Sequence, residues 1–357
     1  MRPDIKIILW GLGAMGSGIA RLLLKKKGVR IVAAFDRDPT KAGKDLGELL
    51  GLENYGAKVG FPPTDGGNWP EQAKVMLLAT SSFTQEVVGE INAGVGQGLN
   101  IITIAEEMSY PWAQAPELAL EIDNRAKAQG VSVLGTGINP GFVLDTLILA
   151  LTGPCQEVRR IKATRVNDLS PFGPTVMHTQ GVGTTVAEFE QGLASGEIVG
   201  HVGFQESIHM IARALGWEIE RIEEKRRPIV SKVRRETEHV KVEPGQVAGC
   251  YHTASGYVAG EARIELVHPQ QILPQLEGVV TGDYIEIEGV PEIKLAIKPE
   301  IPGGLGTIAM AVNMIPQVIA ARPGLLSMAE VPVPAAVLGD LKRISAWRTG
   351  EGLRMSD

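Results

Sequence analysis

Three glycines, one aspartate and a pair of glutamates carry most of the chemistry open to this chain. In "IILWGLGAMGSGIA", residues 7–20, a greasy run breaks into Gly11, Gly13 and Gly16. A GxGxxG pattern between a strand and a helix lets a backbone come close to a pyrophosphate. Gly11 permits the tight turn, Gly13 admits the anion, and Gly16 lets helix pack on strand. The helix beginning near Ala14 aims free N–H groups and its positive dipole end at that anion, and Leu12 and Met15 complete the loop. Asp36 closes the next strand 20 residues after Gly16, where a carboxylate accepts both adenosine ribose hydroxyls and favours NAD. Arg37, directly after it, offers a guanidinium to a 2′-phosphate, so NADP stays open as the alternative. "ATSS", Ala79, Thr80, Ser81 and Ser82, falls at another strand end and is expected to touch cofactor ribose or nicotinamide, a role compatible with capping the helix that follows.

Nicotinamide carries hydride chemistry, and the protein must supply positioning and proton transfer. Glu106 and Glu107 close the run "ITIAEE", while Asn139 and Phe142 follow another strand in "GTGINPGF". Neighbouring residues on a strand point to opposite faces, so one of the two acids at most looks into a cleft.

The elements that must position these groups alternate over the first 137 residues. Strands are expected at 5–11, 30–36, 75–81, 100–106 and 131–137, with helical stretches at 14–28, 39–51, 84–98 and 115–130. Strands apolar on both faces imply a parallel sheet flanked by helices. The fold class is therefore α/β: a Rossmann-type doubly wound parallel sheet plus a second, mixed α/β domain. Strands in that second domain are expected in "RRIKATRVN", "HVKVEPG", "ARIELVH" and "DYIEIEG". The helix 306–321 is expected to return to the first domain, with "PGG" (302–304) as hinge and Met310 and Met314 in the core. The expected boundaries are 1–150 with 305–343 for the dinucleotide domain, 151–304 for the substrate and dimerisation domain, and 344–357 for a flexible tail.

At 357 residues with net charge −6, the chain offers no basic footprint for nucleic acid. The basic stretch 223–236 is read as a solvated helix end leading into a strand. Cys155 and Cys250 have no metal-ligand spacing and are expected as reduced thiols; no metal site is expected. No secretory signal and no apolar run of membrane-spanning length is read, so a cytoplasmic protein without membrane contact is expected.

"WGLGAMGSGIA", "ITIAEEMSYPW", "GTGINPGFVLDTL", "RVNDLSPFGPTVMHTQGVGTT", "VGHVGFQESI" and "EIPGGLGTIAMAVNMIP" together resemble the 2,4-diaminopentanoate dehydrogenase family, which includes native amine dehydrogenases. The resemblance covers about residues 5–343 and implies a dihydrodipicolinate-reductase-like two-domain fold and homodimers. The implied reaction is NAD(P)-dependent oxidative deamination of 2,4-diaminopentanoate at C4, giving 2-amino-4-oxopentanoate and ammonia, reversible as reductive amination of a ketone. The family's acidic residue maps onto the Glu106–Glu107 pair, with Glu107 put first. A buried carboxylate of raised pKa would take the substrate's ammonium proton and then activate water against the iminium.

For the rest of a diamino acid, Arg165 is expected to meet the carboxylate and Asp168 the second ammonium, with Asn167, Thr175, His178 and Gln180 as neutral partners. Phe142, Phe172 and Met177 are expected to set the pocket size. The other histidines, His201, His209, His239, His252 and His268, are read as structural or surface residues. Two alternatives remain: an imine reductase like dihydrodipicolinate reductase, whose paired-histidine and lysine-loop motifs are missing here, and a non-catalytic dinucleotide-binding protein.

Overall fold

Short strands rich in Ile, Val and Leu alternate with helices from the N-terminus, as the apolar runs dictate. The computed structural model describes residues 3–63 and 69–342. In chain order the elements are β1 (Ile5–Trp10), α1 (Ala14–Leu24), β2 (Val29–Phe35), α2 (Leu46–Leu49) and β3 (Val59–Gly60). There follow β4 (Val75–Leu78), α3 (Thr84–Gly96), β5 (Asn100–Thr103), α4 (Pro116–Gln129) and β6 (Ser132–Gly135). The middle of the chain forms α5 (Thr146–Thr152), β7 (Glu157–Asp168), α6 (Pro174–Thr179), α7 (Val186–Ser195) and α8 (Phe204–Leu215). It continues through β8 (Arg221–Val230), β9 (Arg235–Glu236), β10 (Lys241–Val242), β11 (Val247–Val258), β12 (Glu261–Gln271), β13 (Gly282–Val290) and β14 (Ile293–Ile297). The last described elements are α9 (Gly303–Asn313), α10 (Ile315–Ala320) and β15 (Gly324–Leu326).

Two units separate: one runs to Phe142 and resumes at Gly303, the other is Val143–Pro302. Helix α5, expected at the end of the first domain, therefore belongs to the second unit. The expected tail, 344–357, lies outside the described residues.

The first unit is a parallel sheet of order β15-β6-β5-β4-β1-β2-β3. Strand order reverses between β1 and β4, and that switch point is where open α/β sheets bind ligands. Its strands bury both faces, with Ile7, Ile8, Met76, Ile101 and Val133 wholly inside. The strands stop sooner than expected. Thr103 offers its hydroxyl oxygen to the Ala105 amide (3.1 Å), and the chain then enters a 3-10 turn over Glu106–Ser109. The expected helix 39–51 shrinks to α2 because Asp38 draws the Thr40 amide and hydroxyl into a local turn and Gly43 takes φ +80°.

The expected helix 306–321 is two helices, α9 and α10. Pro316, without an N–H, sits in the first turn of α10. By length and composition Gly303–Ala320 is apolar enough to cross a membrane, contrary to the expectation that no run is. In the structure Met310, Ala311, Val312, Met314, Ile315 and Val318 are buried in the protein. The Ser132 hydroxyl lies 2.7 Å from the Val318 carbonyl oxygen and 3.0 Å from Asn100 Oδ1, tying α10 to β5 and β6.

The second unit carries a mixed sheet of order β14-β13-β7-β12-β11-β8, in which β7 and β12 run parallel and the other pairs antiparallel. "HVKVEPG" contributes only the two residues of β10, paired with β9. The basic stretch 223–236 is strand rather than helix end. Its Arg235 is buried, donating to Ser231, Gln271 and the Ile272 carbonyl and pairing with Glu277.

Replacing Ser132 with Ala leaves the buried Val318 carbonyl short of a donor. Urea unfolding should show a loss of about 1–3 kcal/mol; an unchanged midpoint would mean that water takes the hydroxyl's place.

Candidate active site

The glycine turn works because backbone passes backbone with nothing between. Gly11 stands at φ +92°, its amide donates to the Phe35 carbonyl (2.8 Å), and a Cβ on it would overlap the Ala79 carbonyl. A Cβ on Gly16 would overlap the Gly11 carbonyl, whereas one on Gly13 would meet no atom within 4 Å. The open space above Gly13 is the cradle that a pyrophosphate needs, and Gly13 caps α1 with no side chain occupying its N–H groups. A cavity of about 550 Å³ lies there, lined by Trp10, Gly11, Gly13, Asp36, Arg37, Lys41, Ala79, Thr80, Ser81 and Glu86. These residues fit a dinucleotide. Leu12 is buried, Ala14 is exposed at the first turn of α1, and Met15 is half-buried beside it.

Asp36 accepts from the Leu12 amide (2.8 Å), the Asp38 amide (2.9 Å) and the Lys41 ammonium (2.9 Å). Burial works against its charge, but these donors outweigh burial and hold its pKa below the ordinary value. Arg37 is exposed and donates to Glu90 of α3 (2.5 Å), whose other oxygen accepts from the Thr80 hydroxyl (2.5 Å). Ser81 donates to Glu86. Lys41, Glu86 and Glu90 have no motif in the sequence. Lys41 lies in a stretch read as helical, and the two acids read as ordinary charged positions of α3.

The two adjacent glutamates do not alternate across a strand, because they open the 3-10 turn. Glu107 accepts from the Thr84 amide (2.7 Å) and so caps the N-terminus of α3, while its own amide donates to the Ser82 carbonyl (3.1 Å). The acid put first by sequence is thus engaged in holding a helix end. Burial pushes the Glu106 pKa up; a hydrogen bond from the Ser82 hydroxyl pulls the other way, and the Glu107 charge adds to the rise. Ser82 joins Glu106 to Ser81, which lines the cavity. The turn can sit against β6 only because Gly135 has no side chain: a Cβ there would overlap the Met108 carbonyl.

In "GTGINPGF", Thr136 donates its amide to the Thr103 carbonyl (2.9 Å) and Ile138 donates to the Thr307 hydroxyl (3.1 Å), which fixes the loop bearing half-buried Asn139 and Phe142.

In the second unit, register places Asp283, Arg165 and Asn167 beside His268, Gln270, His252 and Cys250 on one buried sheet face. Arg165 is not available to a substrate carboxylate. Its guanidinium donates to Asp283 (2.5 Å) and to the Ile301 carbonyl (2.5 Å), and the residue is 1% exposed. Asp168 falls on the other face, accepting from the Ser170 amide and hydroxyl and the Leu273 amide, so it holds a turn. Asn167 is buried with no partner for Oδ1. Gln180 donates to the Gly200 carbonyl and accepts from Gln270.

Thr175 and His178, on α6, are exposed. Phe172 and Met177 pack in one small core with Leu169 and Val182. His201, His252 and His268, read as structural or surface residues, form a cluster around Phe204, with ring centroids 4.8 Å apart for His201–His268 and for His252–Phe204. Burial lowers the His201 pKa to about 3, with His252 and Arg165 adding to the effect, and lowers that of His268 in the same way. The buried Cys250 thiol is pushed up to about 11 by desolvation, and both cysteines are free. Among the described residues no three His, Cys, Asp or Glu side chains gather as metal ligands.

A parallel sheet wound about this switch point, with a bare glycine cradle at its open edge, is that of a Rossmann-type dinucleotide-dependent oxidoreductase. Residues 5–88 match the family model described as dihydrodipicolinate reductase, N-terminus, and residues 142–347 match 2,4-diaminopentanoate dehydrogenase C-terminal domain. The chain is 49% identical to the 2,4-diaminopentanoate dehydrogenase of Acetoanaerobium sticklandii, over 95% of this chain and 96% of that one. It is 25% identical to an amine dehydrogenase of Streptomyces virginiae, over 93% of this chain and 98% of that one. An amine dehydrogenase structure from Mycobacterium smegmatis superposes with a TM-score of 0.83 at 28% identity, covering 94% and 98% of the two chains. The chain belongs to the 2,4-diaminopentanoate dehydrogenase family.

Substituting Gly135 by Val should displace the Glu106 turn. Turnover should fall at least tenfold while dinucleotide affinity, measured by fluorescence, changes little; parallel loss of both would place the damage in the whole sheet instead.

Proposed function

We propose that this chain oxidatively deaminates 2,4-diaminopentanoate at C4 with NAD(P), giving 2-amino-4-oxopentanoate and ammonia, and runs backwards as reductive amination of a ketone. The observation that carries the reading is a desolvated acid, Glu106, in the turn after β5, hydrogen-bonded to Ser82, the chain neighbour of Ser81 on the wall of a dinucleotide cradle. Family membership supplies the substrate class.

A bound nicotinamide supplies the hydride-accepting ring. Gly11, Gly13 and the first turn of α1 would hold its pyrophosphate, Asp36 the adenosine ribose, and Ala79, Thr80 and Ser81 the walls. NAD is the preferred cofactor, because a 2′-phosphate would approach the Asp36 carboxylate, and Arg37 is already paired with Glu90.

Glu106 takes a proton from the substrate ammonium, since only the free amine can give up hydride from its carbon. Its raised pKa makes it a stronger base than an ordinary carboxylate. Once that proton has passed to solvent, the same carboxylate draws a proton from water as the oxygen attacks the iminium carbon. It then returns that proton to the nitrogen as the carbon–nitrogen bond breaks, the hydroxyl loses its proton and ammonia leaves. In the reverse direction Glu106 protonates the departing hydroxyl. Glu107 acts one step removed, fixing the start of α3 and the Ser82 loop.

Glu106→Gln should lower kcat for amine oxidation about 10²–10⁴-fold with dinucleotide binding retained, whereas Glu107→Gln should mainly cost stability. The opposite ranking would transfer the role to Glu107. Formation of NADH should be strong with 2,4-diaminopentanoate and weak with ornithine, alanine and cyclohexylamine; equal rates with ornithine would defeat the substrate assignment.

The base acts when deprotonated, so amine oxidation rises as pH climbs through the Glu106 pKa. Ser82→Ala removes a bond that lowers this pKa, and the acid limb of the kcat profile should move to higher pH. A limb that stays put would show that another group titrates there.

A further inference from the structure

Glu90 plays no part in the chemistry above, yet it is a buried acid bonded to two residues that line the cofactor cavity. Its side chain is 8% exposed, against 72% for Arg37. Both carboxylate oxygens are in use, one by Arg37 Nη2 and the other by the Thr80 hydroxyl, and both of those partners line the cavity. A buried carboxylate holding an exposed, flexible guanidinium sets where that guanidinium spends its time and cancels its charge locally.

A 2′-phosphate brings about −1.5 to −2 charges at neutral pH. It would need Arg37 as a counter-ion, since Lys41, the other cation lining the cavity, is bonded to Asp36. Drawing Arg37 away would leave the buried Glu90 carboxylate without its cationic partner, and a buried charge left unpaired is costly. A ribose with a free 2′-hydroxyl makes no such demand. Discrimination of this kind comes from a penalty on the wrong ligand, with no contact to the right one.

We propose that Glu90 is a specificity-determining positioning residue: by holding Arg37 it selects the dinucleotide that lacks a 2′-phosphate. The proposal rests on the reading that the cavity holds a nicotinamide dinucleotide. Glu90→Gln keeps the shape and the Thr80 contact while removing the charge that restrains Arg37.

The test measures NADH and NADPH dissociation constants by nicotinamide fluorescence on the full-length wild type, Glu90→Gln, Arg37→Gln and the double variant. In Glu90→Gln the ratio of NADPH to NADH affinity should shift about tenfold towards NADPH, equivalent to about 1.4 kcal/mol. In the Arg37→Gln background the same substitution should leave the ratio unchanged, because Glu90 acts through Arg37. An equal loss of both affinities in Glu90→Gln, or an equal shift in both backgrounds, overturns the proposal. A wild type that binds neither dinucleotide overturns the cavity reading first. Should Glu90→Gln fail to fold, Glu90→Met carries the same expectation on the same measurement.

Discussion

Close passage of bare backbone governs the first unit. The carbonyl of Gly11 lies where any side chain at residue 16 would stand, and the carbonyl of Ala79 lies where one at residue 11 would stand. These two exclusions bring β1, β4 and α1 together at the strand-order switch, and only then does α1 direct its unpaired N–H groups into open space above Gly13. The Ser82 loop leaves β4 beside this junction, and Glu106 follows β5, the next strand in the sheet. The acid's place is therefore a consequence of strand order and of helix capping by its neighbour. Two chemically identical side chains, adjacent in sequence, separate into one that satisfies backbone amides and one that is desolvated.

The charges around the glycine cavity form a balanced set. Asp36 is matched with Lys41, and Arg37 with Glu90, each pair joining an element end to a neighbouring segment. Opposite charges held this way cost little to keep near a cleft and leave the floor over Gly13 free of side chains. The second unit treats charge differently. There Arg165 and Asp283 are sealed into the sheet, and the polar atoms of Asn167, Gln180 and Gln270 run along the same face as amides.

Local signals made the nucleotide half legible: the glycine spacing, the acid at the end of β2 and the apolar strands each report a constraint carried within a few residues. The Glu106–Glu107 doublet was legible as a pair. Its division was not, because the Thr103 hydroxyl ends the strand early and the Thr84 amide claims one acid, and both contacts depend on tertiary packing. Lys41, Glu90 and the buried histidines were hidden for the same reason. Their spacing matches ordinary surface positions, and only the sheet register or a helix brought alongside gives them neighbours. Arg165 and Asp168 illustrate the converse: residue types suited to a zwitterion are used up by Asp283, Ile301, Ser170 and Leu273.

The imidazole cluster around Phe204 has a thermodynamic side. His201 stays neutral in the folded chain down to about pH 3, whereas an unfolded histidine takes up a proton near 6.5. Below that value the unfolded state binds protons that the native second unit refuses, so acid draws the equilibrium towards unfolding. The fold is fully favoured by this cluster only above the ordinary histidine range, and His268, depressed in the same direction, steepens the dependence. Acidification thus attacks this unit through imidazoles that the packed fold keeps neutral.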